Sequence, residues 1–284
     1  MAAFVSLAVA AFTSCVKDEL HDTCHPDTGK MTVTADWTAR GPGIATPASW
    51  NIVMGDYTGT ETGETHAPDH LFAPGDYTLT AYNPATDITV SGTTATVATT
   101  ADGLLSPTPG WLFTSVQEVT IEADHDYAFT ARMLQQVRQL TLTIMPIGDS
   151  AERMTSMDCT LTGVAGSMDF ATNTYGNESI VPLHFTKITE GENAGAWTVT
   201  VYLLGITGER QYLSGYATFA DGNPQPMAIE SDMTEVLSEE FDHFNDFKSD
   251  PKLLSTWTEV PAQVGFTATI TDWEAVDGED IEIN

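Results

Sequence analysis

Met31-Thr32-Val33-Thr34-Ala35-Asp36-Trp37 alternates apolar and polar residues, and Val137-Arg138-Gln139-Leu140-Thr141-Leu142-Thr143-Ile144-Met145 repeats the pattern further along the chain. A period of two sends successive side chains to opposite faces, so each stretch reads as a half-buried β-strand. Outward from the first, residues 50–54, 77–83, 88–97, 112–121 and 126–133 carry the same signature, separated by turn formers such as Arg40-Gly41-Pro42-Gly43 and Pro74-Gly75-Asp76. Outward from the second, strands are expected over 155–161, 166–170, 180–188, 196–204, 212–219, 227–229 and 264–270, with a short tail at Ile281 and Ile283. Two successive runs of about seven strands predict an all-β fold of two tandem sandwiches. The expected halves are 30–134 and 135–284. Their seam, near residues 132–136, lacks a Pro or Gly linker and predicts a tight joint.

One stretch departs from the two-residue period. Across 232–248, Met233, Val236, Leu237, Phe241, Phe244 and Phe247 recur at spacings of three and four with acids between them. This predicts an amphipathic helix, with Asp232 and Glu235 as a variant capping box and Pro251 beyond its end.

Composition limits the partners. Ten Lys+Arg against 40 Asp+Glu give a net charge of −30, which speaks against nucleic acid because phosphate binding depends on cationic side chains. A 42% hydrophobic fraction supplies material for cores and speaks against disorder.

The N-terminus reads as a secretory leader. The run 2–11 is apolar but shorter than the roughly 20 residues a bilayer span needs. Residues 1–14 therefore read as a signal peptide, and Ser14-Cys15 as the end of a bacterial lipobox, with Cys15 the lipidation site. No Lys or Arg precedes the apolar run, so the reading places the true start codon upstream. Residues 15–29 become a lipidated tether, and the expected location is the outer membrane at the cell surface. Lys17-Asp18-Glu19 directly follow the cysteine and resemble the surface-export signal of Bacteroidetes lipoproteins. With Cys15 acylated, Cys24 and Cys159 remain as a candidate disulfide; alternatively Cys159 is a small buried hydrophobe on a strand.

Catalytic and metal motifs are missing. There is no Gly-x-Ser-x-Gly, His-Glu-x-x-His or phosphate loop, and neither His21 and His25 around Cys24 nor the acidic 277–280 stretch matches a metal-binding pattern. The expectation is a non-enzymatic protein without a cofactor. His66 and His70 lie in a Thr/Gly/Pro-rich loop, where a spacing of four has no helical meaning. Of the tryptophans, Trp111 after Pro109-Gly110 and Trp257 after the helix are candidates for exposure and glycan contact.

The chain resembles a known family in Cys15-Val16-Lys17-Asp18-Glu19-Leu20 with Cys24; in Val33-Thr34-Ala35-Asp36-Trp37; in Leu71-Phe72 and Pro74-Gly75-Asp76-Tyr77 leading to Tyr82-Asn83; in Leu161-Thr162-Gly163-Val164-Ala165-Gly166-Ser167-Met168; and in the late Trp273. In this order they are similar to the FimB/Mfa-type fimbrial anchor and subunit family of Bacteroidetes. The resemblance implies transthyretin-like sandwiches, a lipidated N-terminus, and anchoring of a surface fimbria whose subunits join by strand exchange. Fimbrial subunits and the outer membrane are then the expected partners. The implied donor strand lies beyond Trp273, with Ile281 and Ile283 as its anchors. The resemblance implies that polymerising pilins of this group are cleaved after an Arg near the first strand, and Arg40 is the candidate position; an Arg in a Gly/Pro loop also reads as an ordinary solvent-exposed turn residue. An anchor would keep residues 31–37. The alternatives are a stalk or tip pilin processed at Arg40, and a surface glycan-binding lipoprotein.

Overall fold

The structure, a computed structural model, describes residues 27–222, 225–240, 253–261, 268–270 and 273–276. Its strands in the first half are β1 (Lys30–Asp36), β2 (Trp50–Met54), β3 (Tyr57–Glu61), β4 (Thr65–His66), β5 (Gly75–Tyr82), β6 (Ile88–Ser91), β7 (Thr94–Val97), β8 (Phe113–Ile121), β9 (Asp126–Arg132) and β10 (Leu134–Gln135). The second half holds β11 (Arg138–Ile147), β12 (Met154–Asp169), β13 (Thr174–Lys187), β14 (Trp197–Leu203), β15 (Tyr212–Phe219), β16 (Met227–Asp232), β17 (Leu253–Pro261), β18 (Ala268–Thr269) and β19 (Glu274–Val276). The fold is all-β, as the alternation predicts.

Two sheets, β4-β1-β9 and β10-β8-β5-β2-β3, enclose the first core. The deciding stretch behaves as its period requires: Met31, Val33 and Ala35 are buried, and Thr32, Thr34 and Asp36 are half-buried. They face Trp50, Ile52, Met54, Leu79 and Phe113, all buried. The second core lies between layers of a sheet that is eleven-stranded among the described residues. β13 pairs with β12 along most of its length and then, through Thr186 and Lys187, with β14. That switch carries the chain from one layer to the other. Leu140, Leu142 and Ile144 of β11 thereby share a core with Met157, Leu161, Leu213 and Ile229.

Three features depart from the sequence reading. Residues 88–97 are not one strand of the first sandwich. They form the β6–β7 hairpin, turned at Gly92 with φ +59°, and β7 pairs with β12 of the second sheet. Ala95, Val97, Leu105 and Leu112 are buried in the second core, so the first half of the chain contributes a flap to the second sandwich. Thr-rich alternation is identical on either side of a two-residue turn, which is why the period runs through it unbroken.

The second departure is at the seam. β10 still belongs to the first sheet through β8, so the passage falls at Gln136 and Val137. The joint is tight: Gln136 donates from its backbone to Leu112 O at 2.8 Å and from Nε2 to Thr114 Oγ1 at 2.7 Å.

The third concerns the helix expected over 232–248. A helical turn starts at Thr234 and continues as a π-helical turn over Val236–Glu240, while 241–248 lie outside the described residues. Asp232 caps it by accepting the Thr234 amide at 3.1 Å, rather than through a box with Glu235. Met233, Val236 and Leu237 are buried in the second core, as the helical spacing requires.

Candidate functional site

The site is the seam around β1. On one edge β1 lies parallel to β9, in register from Lys30 opposite Asp126 to Asp36 opposite Arg132. The other edge is covered by a strap, residues 62–72, that contains the two-residue β4. The strap is zipped down by backbone: Ala35 donates to Glu64 O at 2.8 Å, Gly29 to Phe72 O at 2.8 Å, and Phe72 to Gly29 O at 3.0 Å. Among the described residues the strap meets the second edge at Gly29 and at Val33–Ala35, so that edge presents no long unpaired row of N–H and C=O groups to a foreign strand.

Side chains fasten the strap. Tyr57 Oη and His66 Nε2 are 2.6 Å apart, and His66 Nδ1 is 3.3 Å from Glu61 Oε2. Glu61 Oε1 accepts the Gly63 and Thr62 amides at 2.8 and 2.7 Å; these bonds, with that to His66, hold the Glu61 carboxyl below its ordinary range. Burial pushes the Tyr57 phenol up. Trp50, in the core, donates from Nε1 to Gly63 O at 2.8 Å. Tyr57 also packs on His70 and Phe72, at centroid distances of 5.2 and 5.7 Å. Gly59 makes room for this: a Cβ there would stand 2.6 Å from Tyr57 Oη and 2.8 Å from His66 Nε2. Sequence reasoning missed this assembly, because Tyr57, Glu61, His66 and His70 meet across a hairpin and a loop and not along one periodic element.

Arg40 lies just beyond β1, in a closed loop. Its Nε donates to Trp37 O at 3.1 Å and its Nη1 to Ile44 O. Gly41 is buried and donates its amide to Gln135 Oε1 at 2.9 Å. Trp37 packs edge-on against Phe113, and Ile44 is buried beneath the loop. The Arg40–Gly41 bond is therefore held from both sides, and the guanidinium already serves two carbonyls.

The other expected site residues fall elsewhere. Cys15, Lys17, Asp18, Glu19 and Cys24 at one end, and Ile281 and Ile283 at the other, lie outside the described residues. Cys159 is a free thiol in the second core, which fits the small-hydrophobe alternative; burial, then the Asp158 charge, pushes its pKa up to about 12. Trp111 is half-buried between the two cores, its ring 4.7 Å from that of Tyr202. Trp257 sits in β17, opposite Thr143 on one side and Glu274 on the other. Among the described residues no group of His, Cys, Asp and Glu is placed to hold a metal ion, and no helix is long and apolar enough to cross a membrane.

Residues 54–278 match the family model of the fimbrillin-A associated anchor proteins Mfa1 and Mfa2. The chain belongs to that family. The fold agrees. The fimbrial anchor protein Mfa2 from Porphyromonas gingivalis is similar, with a TM-score of 0.58 at 11% identity over 87% of this chain and 97% of that one. A protein from Bacteroides ovatus described as a candidate adhesin gives 0.60 at 13% identity, over 92% and 98% of the two chains. A candidate cell adhesion protein from Bacteroides eggerthii gives 0.54 at 14% identity, over 90% and 94%. No curated protein matches the chain in sequence. Membership places the chain among fimbrial, adhesin-like proteins of the cell surface.

Proposed function

We propose that the chain is a lipid-anchored, non-enzymatic base subunit of a surface fimbria that keeps its first strand and joins its neighbour by strand exchange. Cys15 carries the lipid, Lys17, Asp18 and Glu19 direct export, and the tail with Ile281 and Ile283 is the strand it donates. The observation that carries the reading is β1, paired along its whole length with β9 and strapped on its other edge at Gly29 and Val33–Ala35, with the Arg40–Gly41 bond pinned beside it. A subunit that must receive a donor strand has to lose its own first strand. A protease specific for Arg needs the side chain in its own pocket and the flanking chain extended. Here the guanidinium is engaged, the loop is closed and Gly41 is buried. These features support retention of β1, as a terminal subunit requires. A donated tail would gain its affinity from main-chain hydrogen bonds and its register from alternate side chains such as Ile281 and Ile283.

Two variants test the reading. Cys15→Ala is expected to release the protein from the outer-membrane fraction. Deletion of residues 280–284 is expected to leave it membrane-bound but uncoupled from the fimbria. If the truncated protein still co-purifies with fimbriae at full yield, the tail is not the donor.

A further inference from the structure

The second sandwich carries a groove of about 630 Å³ on its outer face, remote in sequence from the β1 seam. Its floor is set by register. His184, Asp158, Tyr216 and Ala228 stand directly across β13, β12, β15 and β16, and Pro182, Thr160, Ser214 and Glu230 form the next row on the same face. The wall is the loop after β7, residues 99–105. It is braced by Thr100 donating to Leu104 O at 2.7 Å and Leu105 donating to Ile180 O at 2.9 Å. A segment from the first half of the chain thus closes one side of a groove built by the second.

Two properties of the lining narrow the ligand. Tyr216, whose ring lies in the lining, is 60% exposed. The rest is dense in hydroxyls and acceptors: Thr100, Thr160 and Ser214 with Asp102, Asp158 and Glu230. Asp158 Oδ1 is 2.8 Å from His184 Nδ1, and Glu230 Oε2 accepts the Tyr212 hydroxyl at 3.1 Å, so two of the carboxylates are oriented. Among the described residues no Lys or Arg lines the groove.

We propose that this groove binds a neutral saccharide, with the Tyr216 ring stacked on a sugar face and Asp158, His184 and Glu230 taking its hydroxyls. The electron-rich face of an aromatic ring attracts the C–H edge of a pyranose. Carboxylates accept hydroxyl donors and repel acidic sugars, and the volume lies in the range of small-molecule sites. β12 and β15 are interior strands with both edges paired, so the face cannot take an added strand and recognises through side chains alone. The inference goes beyond the anchoring role and does not depend on it.

The test is an amide-resolved NMR titration of the whole chain with maltotriose, mannotriose and triacetylchitotriose, and with a hexalysine peptide in parallel. At least one sugar is expected to shift the amides of 158–160, 214–216 and 228–230 and leave β1 unmoved. Tyr216→Ala should weaken that binding by about tenfold or more while leaving the thermal midpoint unchanged, because the ring is exposed. Asp158→Asn should weaken it less. The proposal is overturned if none of the three sugars moves these amides at about 10 mM, a concentration that detects even millimolar affinity. It is equally overturned if hexalysine alone binds there, or if Tyr216→Ala leaves the sugar affinity intact.

Discussion

Each sandwich has its first strand parallel to a late one, but the two first strands are held very differently. In the first sandwich β1 pairs with β9 from Lys30 to Asp36; in the second β11 pairs with β17 from Gln139 to Ile147. The other edge of β11 is filled by β14 along Arg138 to Ile144. The other edge of β1 meets, among the described residues, only the two-residue β4 and the strap around it. β11 is thus locked by continuous ladders on both sides. β1 is locked on one side by a ladder and on the other by a short strap, bonded to it through a few backbone groups and itself held down by Trp50, Tyr57, Glu61 and His66. The leading strand of the first sandwich thus depends on a local strap for its second edge, where that of the second depends on a full ladder.

Substitutions should therefore separate the two seams. The largest effect is expected at β11. Leu142 is fully buried, and Leu142→Ala should lower global stability by about 2–5 kcal/mol, read as an earlier denaturant midpoint. A strap variant should do less globally and more locally. Tyr57→Phe removes the hydroxyl that meets His66 and should cost about 1 kcal/mol. Hydrogen exchange should speed up at Ala35 and Phe72 and remain unchanged in β11. Equal acceleration in both strands would mean that the strap does not act as an independent fastening.

The strap should also loosen in acid. The folded-state pKa of Glu61 lies below its unfolded value, so its contribution is complete above the ordinary glutamate range. It is lost as pH falls through the depressed value. The protection factor at Ala35, with the intrinsic exchange rate divided out, should fall over that acidic interval in the native protein and show no such step in Glu61→Gln. The smallest effect is expected at Cys159. With its thiol pushed up to about 12, it should resist maleimide labelling near neutral pH in the folded chain and react after unfolding.

Much of the architecture was legible because burial on one face of a sheet imposes a period of two, and Met31, Val33 and Ala35 obey it. The helical spacing of Met233, Val236 and Leu237 was legible for the same kind of reason. What escaped was long-range. Nothing in Ile88-Thr89-Val90-Ser91 states that its hairpin partner will pair with β12 across the joint. The site was only partly readable. Arg40 was visible as a residue type after a strand, but its two carbonyl partners come from chain reversal in a loop. Tyr57, Glu61 and His66 carried no motif, and Gly59 gave no hint that the space above it would be filled by their hydrogen bond. Trp111 follows Pro109-Gly110, and nothing local states that Tyr202, far along the chain, will pack against its ring.

The most direct measurement is intact and peptide mass spectrometry of the protein taken from the outer-membrane fraction of its native host. The account predicts a chain that begins at an acylated Cys15 and still carries residues 31–37 joined through an uncut Arg40–Gly41 bond. A chain that begins at Gly41 would contradict it, because the first sandwich would then have given up β1 and opened a groove for another subunit's strand.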